Sequence, residues 1–465
     1  MGSKWKTSFL TDHYSISSGL SKPAKDFGTG YPFLSFKDIF YNYFLPDSLA
    51  QLVQSTDKER ASCSVRRGDV FLTRTSETMH ELGMSSVALK DYTDATFNGF
   101  CKRLRPKETS ELEPEYVGYY LRSPVFRQSM LAFSTMSTRA SLNNEMISRL
   151  EISYPDRKIQ KKIANILLSL DEKIAISRAI NQSLEQMSQA LFKSWFVDFD
   201  PVIDNALDAG NQIPEALQSR AELRQKARNC ADFKPLSADI RALFPAEFEE
   251  TELGLVPKGW QLKSMHDLVE SVSITFPLSK TDKVIFLNTG DIEKGSFLHQ
   301  NYSKTEGLPG QAKKSIKKGD ILFSEIRPEN KRYAFVHFES DDYVVSTKLM
   351  VLRAKNEINP LLPYFIITLE DNTRKLQRVA ELRSGTFPQI TFKELEFINF
   401  IMPNDHKIME LFINSYLAPA YNKIIATKKA NMNLTNLRDT LLPKLISGEL
   451  SLEDLPDIIK QTEAA

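Results

Sequence analysis

Two carboxylates and a lysine at the end of the first third of the chain match a sequence motif of metal-dependent nucleases. Asp156 follows Pro155, and Asp171 stands two residues before Lys173, as in the PD-(D/E)xK pattern. That chemistry requires the three charged side chains to converge on one metal ion. Asp171 and Lys173 lie in a stretch with helical periodicity, and residues two apart on a helix point to different faces. Because the chain has 59 acidic and 60 basic residues, we expect such a match by chance and predict no metal site.

Other patterns of catalytic chemistry are missing from the sequence. It contains no P-loop and no Gly-rich methyl-donor loop or NPPY-like element of amino-methyltransferases. Its six histidines form no HxxxH pair, and its three cysteines form no CxxC pair. Widely spaced cysteines argue against a disulfide scaffold or a zinc site and fit a reducing compartment. We therefore predict a protein that is not an enzyme and holds no cofactor.

Four polar loops carry side chains that suit contact with DNA. Arginine reads guanine, asparagine and glutamine read adenine, and serine and threonine reach phosphates or bases. The alternative interpretation is that these loops are ordinary solvated turns. The candidate DNA-binding residues are Arg74, Thr75, Ser76, His80, Thr138 and Arg139 in the first half of the chain, and Arg327, Asn330, Lys331, Arg332, Thr386 and Gln389 in the second.

The elements that must position these loops are duplicated at a distance of about 250 residues. The stretch 65–71 (VRRGDVF) returns as 316–322 (IKKGDIL), and the landmarks keep the same order in both halves. A period this long is not that of a solenoid, whose units have 20–50 residues. It predicts two copies of one unit, and hence approximate internal two-fold symmetry. The other matched landmarks are Leu34, Asp38 and Ile39 with Leu287, Asp291 and Ile292, and Trp5 with Trp260.

The overall composition is that of a soluble globular protein with two or three domains. The chain has 465 residues, of which 42% are hydrophobic and 26% are charged. With a net charge of +1, any basic DNA-binding surface must come from local arrangement. No apolar run approaches the ~18 residues of a membrane span, and the N-terminus lacks a signal pattern. We expect a cytoplasmic protein.

Residues 157–196 and 406–446 have the apolar spacing of amphipathic helices. The Ser-x-x-Glu capping pattern at Ser169 and the proline at Pro419 leave open whether each stretch is one helix or two. A single amphipathic helix more often covers a domain surface, but two such stretches, each after a mixed domain, favour an antiparallel pair. Their apolar stripe includes Leu184, Met187, Leu191, Trp195, Leu437, Leu441 and Leu445.

The predicted fold is α+β. Two similar mixed α/β domains are separated by two long, antiparallel, coiled-coil-like helices, with a pseudo-two-fold internal repeat. Residues 201–255 have no counterpart in the second half and are interpreted as a linker or insert. The predicted segments are a first domain at 1–155, a helical region at 156–200, the insert at 201–255, a second domain at 256–403, a helical region at 404–455 and a tail at 456–465.

Four stretches resemble a known family. Residues 158–174 (KIQKKIANILLSLDEKI), 183–202 (SLEQMSQALFKSWFVDFDPV) and 243–260 (LFPAEFEETELGLVPKGW) are similar to the central region of specificity subunits of type I restriction–modification systems. Residues 436–455 (NLRDTLLPKLISGELSLEDL) resemble the matching region after the second domain. The chain departs from the family at 405–407 (DHK), where Glu-Gln is usual, and at 157–160 (RKIQ), which lacks the usual Glu.

The resemblance implies a division of labour. Each mixed domain would be a target-recognition domain that reads one half of a split, asymmetric site in double-stranded DNA. The helical regions would act as a spacer and as a docking surface for two modification (methyltransferase) subunits, with restriction subunits joining the complex. The seven side chains of the apolar stripe thereby become candidate partner-binding residues. S-adenosylmethionine, ATP and Mg would belong to the partner subunits.

Two alternatives from other functional classes stay open at this point. The chain could be the recognition half of a fused methyltransferase or nuclease, which requires a catalytic region that this sequence lacks. It could also be a coiled-coil scaffold with no role in nucleic-acid binding. A methyl-transfer assay and a gel shift with partner subunits present would distinguish these alternatives.

Overall fold

A computed structural model describes residues 5–76, 81–132, 140–251 and 254–453. The chain forms two compact units. Unit 1 comprises Met1–Ala179 with Thr427–Ala465, and unit 2 comprises Ile180–Ala426.

Unit 1 contains a four-stranded sheet of order β2-β9-β5-β7 and a three-stranded sheet of order β4-β3-β8, with two small pairs, β1-β11 and β10-β6. Its strands are β1 Lys6–Phe9, β2 Tyr14–Ser18, β3 Phe27–Leu34, β4 Gln51–Val53, β5 Val70–Thr73, β6 Thr75–Ser76, β7 Ser85–Val87, β8 Thr96–Phe97, β9 Cys101–Pro106, β10 Ala140–Ser141 and β11 Glu151–Tyr154. Its short helices are α1 Leu10–His13, α2 Phe36–Tyr41, α3 Asp57–Ser62, α4 Pro114–Tyr120, α5 Pro124–Ala132 and α6 Asn144–Ser148. The long helix α7, Arg157–Phe196, begins in unit 1 and ends in unit 2.

Unit 2 repeats the arrangement, because its sheet β15-β24-β21-β22 has the strand order of β2-β9-β5-β7. Its strands are β12 Phe248–Thr251, β13 Gly254–Pro257, β14 Trp260–Ser264, β15 Val269–Val272, β16 Lys283–Leu287, β17 Ile292–Glu293, β18 Ser296–Phe297, β19 Ser303–Lys304, β20 Ala312–Ser315, β21 Ile321–Ser324, β22 Tyr333–Phe335, β23 Tyr343–Ser346, β24 Leu349–Ala354 and β25 Asn399–Pro403. Its helices are α8 Asp200–Ala209, α9 Gln218–Arg228, α10 Ala238–Arg241, α11 Met265–Leu268, α12 Leu361–Thr368, α13 Glu370–Arg383 and α14 His406–Phe412; helix α15, Ala418–Ser447, begins here and ends in unit 1. The predicted duplication and mixed α/β fold are confirmed.

The repeated Gly-Asp motif forms the same buried ion pair in both units. The glycine of each motif has a positive φ, +87° and +92°, which favours glycine. The next residue, Asp69 or Asp320, is fully buried at the start of the central strand. Asp69 accepts a hydrogen bond from Nε of Arg105 at 2.8 Å, and Asp320 accepts two from Arg353, both at 2.8 Å. A carboxylate without water requires such a partner, so the motif marks a structural pair.

In unit 1, the first part of α7 and the last part of α15 share one core with the mixed domain. A polar contact fixes the three together. The Asp171 carboxylate accepts hydrogen bonds from Oη of Tyr119 and Nη1 of Arg438, both at 2.6 Å. The Arg438 guanidinium also lies 5.3 Å from the centroid of the Tyr43 ring. Asp171, which is part of the nuclease-like sequence match, therefore joins the mixed domain to both helices.

In unit 2, the last part of α7 packs through aromatic rings against α14 and the π-turn Ile413–Leu417 that follows it. Trp195 contacts Phe412 and Tyr416, with ring centroids 6.2 and 5.6 Å apart. Unit 1 thus contains the beginning of α7 with the end of α15, and unit 2 contains the end of α7 with the beginning of α15. This is the order of an antiparallel helix pair, as predicted.

The long helix α7 is a single helix of 40 residues, which resolves the alternative of two. Ser169 does not cap a second helix, because its hydroxyl donates to the Ile166 carbonyl inside the helix at 2.8 Å. In the second helical region, the backbone runs without a break from α14 through a π-turn at Ile413–Leu417 into α15, and Pro419 follows directly after this π-turn.

The insert after α7 is folded and belongs to unit 2. It contains helices α8, α9 and α10 and a small apolar core. A ladder of ion pairs joins α8 to α9, with Arg220 bound to Asp200, Arg224 to Asp204 and Arg228 to Asp208. The spacing of four residues along both helices places successive pairs on one face.

Candidate nucleic-acid interface

The two candidate loops of unit 2 lie side by side. Ile326, just after β21, forms an isolated β-bridge with Gln389, and the Arg327 amide donates to the Pro388 carbonyl at 3.1 Å. Arg327 has a left-handed backbone (φ +44°) and an exposed side chain. Asn330, Thr386 and Gln389 are exposed as well. The two loops, which are 56 or more positions apart in the sequence, thereby form one polar surface.

Two of the predicted cations in this loop are already engaged. The Lys331 ammonium pairs with the carboxylate of Glu370. Arg332 donates from Nη1 to the Ile292 carbonyl at 3.2 Å and lies 3.9 Å from Glu293. These contacts hold the loop in place, so in this structure Lys331 and Arg332 support the surface, while Arg327 presents its guanidinium to solvent.

The corresponding loops of unit 1 meet in the same way. The short strand β6 pairs with β10, with Thr75 opposite Ser141, and the Leu142 amide donates to the Arg74 carbonyl at 2.7 Å. Arg74 is exposed and Thr75 is half-buried. Three predicted residues, His80, Thr138 and Arg139, lie outside the described residues and stay predictions, as does a role for Ser76.

Sequence reasoning missed two residues beside Arg74. Lys102, on β9, is 8% exposed and donates from Nζ to the Ser18 hydroxyl at 2.9 Å. Burial, and then the positive charge of Arg74, lowers the pKa of Lys102. Phe100, in the turn before β9, is 63% exposed. The pattern Asn98-Gly99-Phe100, a turn ending in an aromatic residue, was the signal available in the sequence.

The two units differ in charge at this position. In unit 2 the residue that corresponds to Arg74 is Glu325, whose carboxylate lies 3.6 Å from the ammonium of Lys348. The shared framework therefore carries a basic residue at this place in unit 1 and an ion pair in unit 2. Such a difference suits two surfaces that bind different base sequences.

The candidate partner-binding residues fall into two groups. Trp195, Leu437, Leu441 and Leu445 are at most 7% exposed and belong to the cores of their units. A buried side chain cannot contact a partner, so these four are corrected from docking residues to core residues. Leu184 and Leu191 are half-buried, and Met187 is 66% exposed, so these three keep their prediction.

Neither metal-binding nor membrane-spanning features are found in the part of the chain that the structure describes. No group of three or more His, Cys, Asp or Glu side chains there could hold a metal ion. Over the same residues, no helix has the length and apolar character needed to span a membrane.

Comparison with known proteins accounts for the duplication. A family model, the type I restriction modification DNA specificity domain, matches residues 2–186 and again 257–433. The chain is 40% identical over 188 residues to the HindI specificity subunit of Haemophilus influenzae, a match that spans 39% of each protein. It is 25% identical to the MjaIX specificity subunit of Methanocaldococcus jannaschii, over 97% of this chain and 94% of that protein.

A solved structure has the same fold. The type I restriction–modification S subunit from M. genitalium aligns over 95% of this chain and 96% of its own, with a TM-score of 0.55 and 12% identity. The two family matches cover most of the chain, one beginning in each of the duplicated domains. The chain belongs to the family of type I restriction–modification DNA specificity proteins.

Proposed function

We propose that this chain is the DNA-recognition subunit of a type I restriction–modification complex and has no catalytic activity of its own. The observation that carries the proposal is the duplication of one domain whose paired loops expose an arginine in each copy, Arg74 and Arg327. A duplicated domain suits a target made of two half-sites. Because the loop residues differ between the copies, the half-sites would differ and the target would be asymmetric.

We also infer the partners and their division of labour. Two modification subunits would dock on the helical regions, and restriction subunits would join that complex in the cytoplasm. Among the candidate docking residues, Met187 supports this inference best, since an exposed apolar side chain on a long helix is available for contact. S-adenosylmethionine, ATP and Mg would bind to the partner subunits.

Exchange of one domain tests the proposed function. The full chain is produced with its modification subunits, and methylated positions are mapped genome-wide. Replacing residues 1–155 by the same segment of a family member should change one half-site and leave the other unchanged. A change in both half-sites would contradict the assignment of one half-site to each domain. Methyl transfer by the isolated chain would favour a fused enzyme, and a complex without specific DNA binding would favour a scaffold.

Arg327→Ala tests the surface of unit 2. If Arg327 contacts a base, the variant should bind the target with about 1–3 kcal/mol less free energy and tolerate more than one base at a single position of one half-site. Competition gel shifts with every single-base variant of the target measure both effects.

Lys318→Ala is the matched control, because it removes an exposed ammonium 3.3 Å from Glu339, before the other end of β21. We expect this variant to retain specificity at every position. If Arg327→Ala leaves both the affinity and the recognised site intact, or if Lys318→Ala relaxes the same position equally, the assignment of Arg327 is wrong.

A further inference from the structure

The turn that carries Phe100 is held firmly by its backbone. The Phe100 amide donates to Oδ1 of Asn98 at 2.7 Å, and its carbonyl accepts from the amide of Arg74 at 2.8 Å. The amide of Gly99 donates to the Leu20 carbonyl at 2.9 Å. A Cβ at Gly99 would lie 2.3 Å from the hydroxyl oxygen of Ser21 and 3.2 Å from the Leu20 carbonyl oxygen, so the turn packs closely on the segment at 20–21. The main chain is thus fixed while the phenyl ring points outward.

The ring of Phe100 does not serve the core. It is 63% exposed, whereas Phe97, three residues earlier, is fully buried and packs on Phe71 with ring centroids 5.1 Å apart. A rigid turn that holds an aromatic ring in water keeps an apolar surface ready for a partner, since little side-chain entropy is lost on binding.

The charges beside the ring favour an anionic partner. Phe100 is hydrogen-bonded through its carbonyl to Arg74, whose side chain is exposed and shows no ion pair within the described ranges. Lys102 follows two residues later but is only 8% exposed, so Arg74 is the cation that a partner can reach. An exposed arginine beside an exposed aromatic ring matches duplex DNA, which offers phosphates and, in its major groove, apolar base groups such as the thymine methyl.

We propose that Phe100 contacts a base of the half-site recognised by unit 1, with its ring against the apolar surface of that base. This inference rests on the proposed function and deepens it, because it adds a specificity-determining residue outside the loops at 74–76 and 138–139. The rigid turn sets the position of the ring, and the adjoining Arg74 reaches the DNA at the same place.

A combined protein and DNA deletion tests the contact. After methylation mapping has given the target, the affinity of the assembled complex is measured for duplexes with one abasic position at a time across the half-site. Phe100→Ala should weaken binding of the intact target by about tenfold, the order expected when one contact to a base in a duplex groove is lost. At one abasic position, the wild-type complex should lose affinity and the variant should lose several-fold less, because its contact is already gone.

Phe397→Ala is the control, since Phe397 is a 43% exposed phenylalanine of unit 2. It should leave the profile of the unit 1 half-site unchanged. Phe100→Ala should keep the melting temperature, because its ring is exposed. Suppose that the wild-type complex binds its site. If Phe100→Ala then gives the wild-type affinity profile, or weakens only assembly with the modification subunits, this inference is overturned while the proposed function stands. If the wild-type complex binds no specific site, both are overturned.

Discussion

Replacing Arg353 by methionine should lower the free energy of unfolding of unit 2 by about 3–5 kcal/mol. Asp320 is fully buried and accepts hydrogen bonds from Nε and Nη2 of Arg353, both at 2.8 Å. Among the described residues, the hydrogen bond that then remains to the Asp320 carboxylate comes from the amide of Lys317, at 2.9 Å. Breaking a buried pair leaves an uncompensated charge, which costs far more than the pair contributes when intact. Urea denaturation of the full chain measures the loss as a decrease in the free energy of unfolding of the unit 2 transition.

Two further variants separate this cause from a general loss of surface charge. Lys318→Met removes an exposed ammonium 3.3 Å from Glu339 and should cost less than about 1 kcal/mol. Replacing both Asp320 and Arg353 by leucine removes both charges and should recover much of the stability. If Arg353→Met is no more damaging than Lys318→Met, the buried pair is not what stabilises the strand.

Trp195→Ala should lower the free energy of unfolding of unit 2 by about 3–5 kcal/mol, the usual range for a large buried aromatic residue. Trp195 is 1% exposed, and its ring centroid lies 5.2 Å from that of Phe244 and 5.6 Å from that of Tyr416. The substitution removes contacts with α14, the π-turn that follows it and the insert at once. Thermal denaturation of the full chain reports the change.

Met187→Ala on the same helix is the matched control for Trp195. Its side chain is 66% exposed, and we expect a change within about 0.5 kcal/mol. If a modification subunit docks on Met187 as proposed, Met187→Ala should weaken binding of that subunit. Trp195→Ala should not remove such a contact directly, because its ring is buried. Equal losses of stability would mean that Trp195 does not hold the helices together.

The duplicated framework could be predicted from the sequence because its cause is local. A glycine with a positive φ followed by a buried aspartate is a sequence signature, and it returns at Gly319 and Asp320 as at Gly68 and Asp69. The amphipathic spacing of residues 157–196 likewise predicted a helical region. The capping pattern at Ser169 was less informative, since inside a continuous helix the same hydroxyl bonds to the preceding turn.

The spacing of the apolar residues along the two helical regions could not predict which of these residues are covered by other elements. Leu441 and Met187 both belong to the predicted stripe, yet Leu441 is fully buried and Met187 is 66% exposed. Their difference depends on which elements pack against each part of the helices, and that is a tertiary property. Phe100 escaped notice for a similar reason: only the hydrogen bond from Arg74 shows that its turn adjoins the candidate loop.

The central strand of each domain lies between a buried ion pair that stabilises the fold and a surface loop whose residues differ between the two domains. In unit 2, the Asp320 pair stands at one end of β21 and the loop with Arg327 begins past the other end. Four residues of strand place about 13 Å between them at ~3.3 Å per residue. Substitutions in the loop therefore do not change the anchoring pair directly. If the loop contacts DNA as proposed, the recognised sequence can change through a few surface codons while the domain keeps the pair that stabilises its fold.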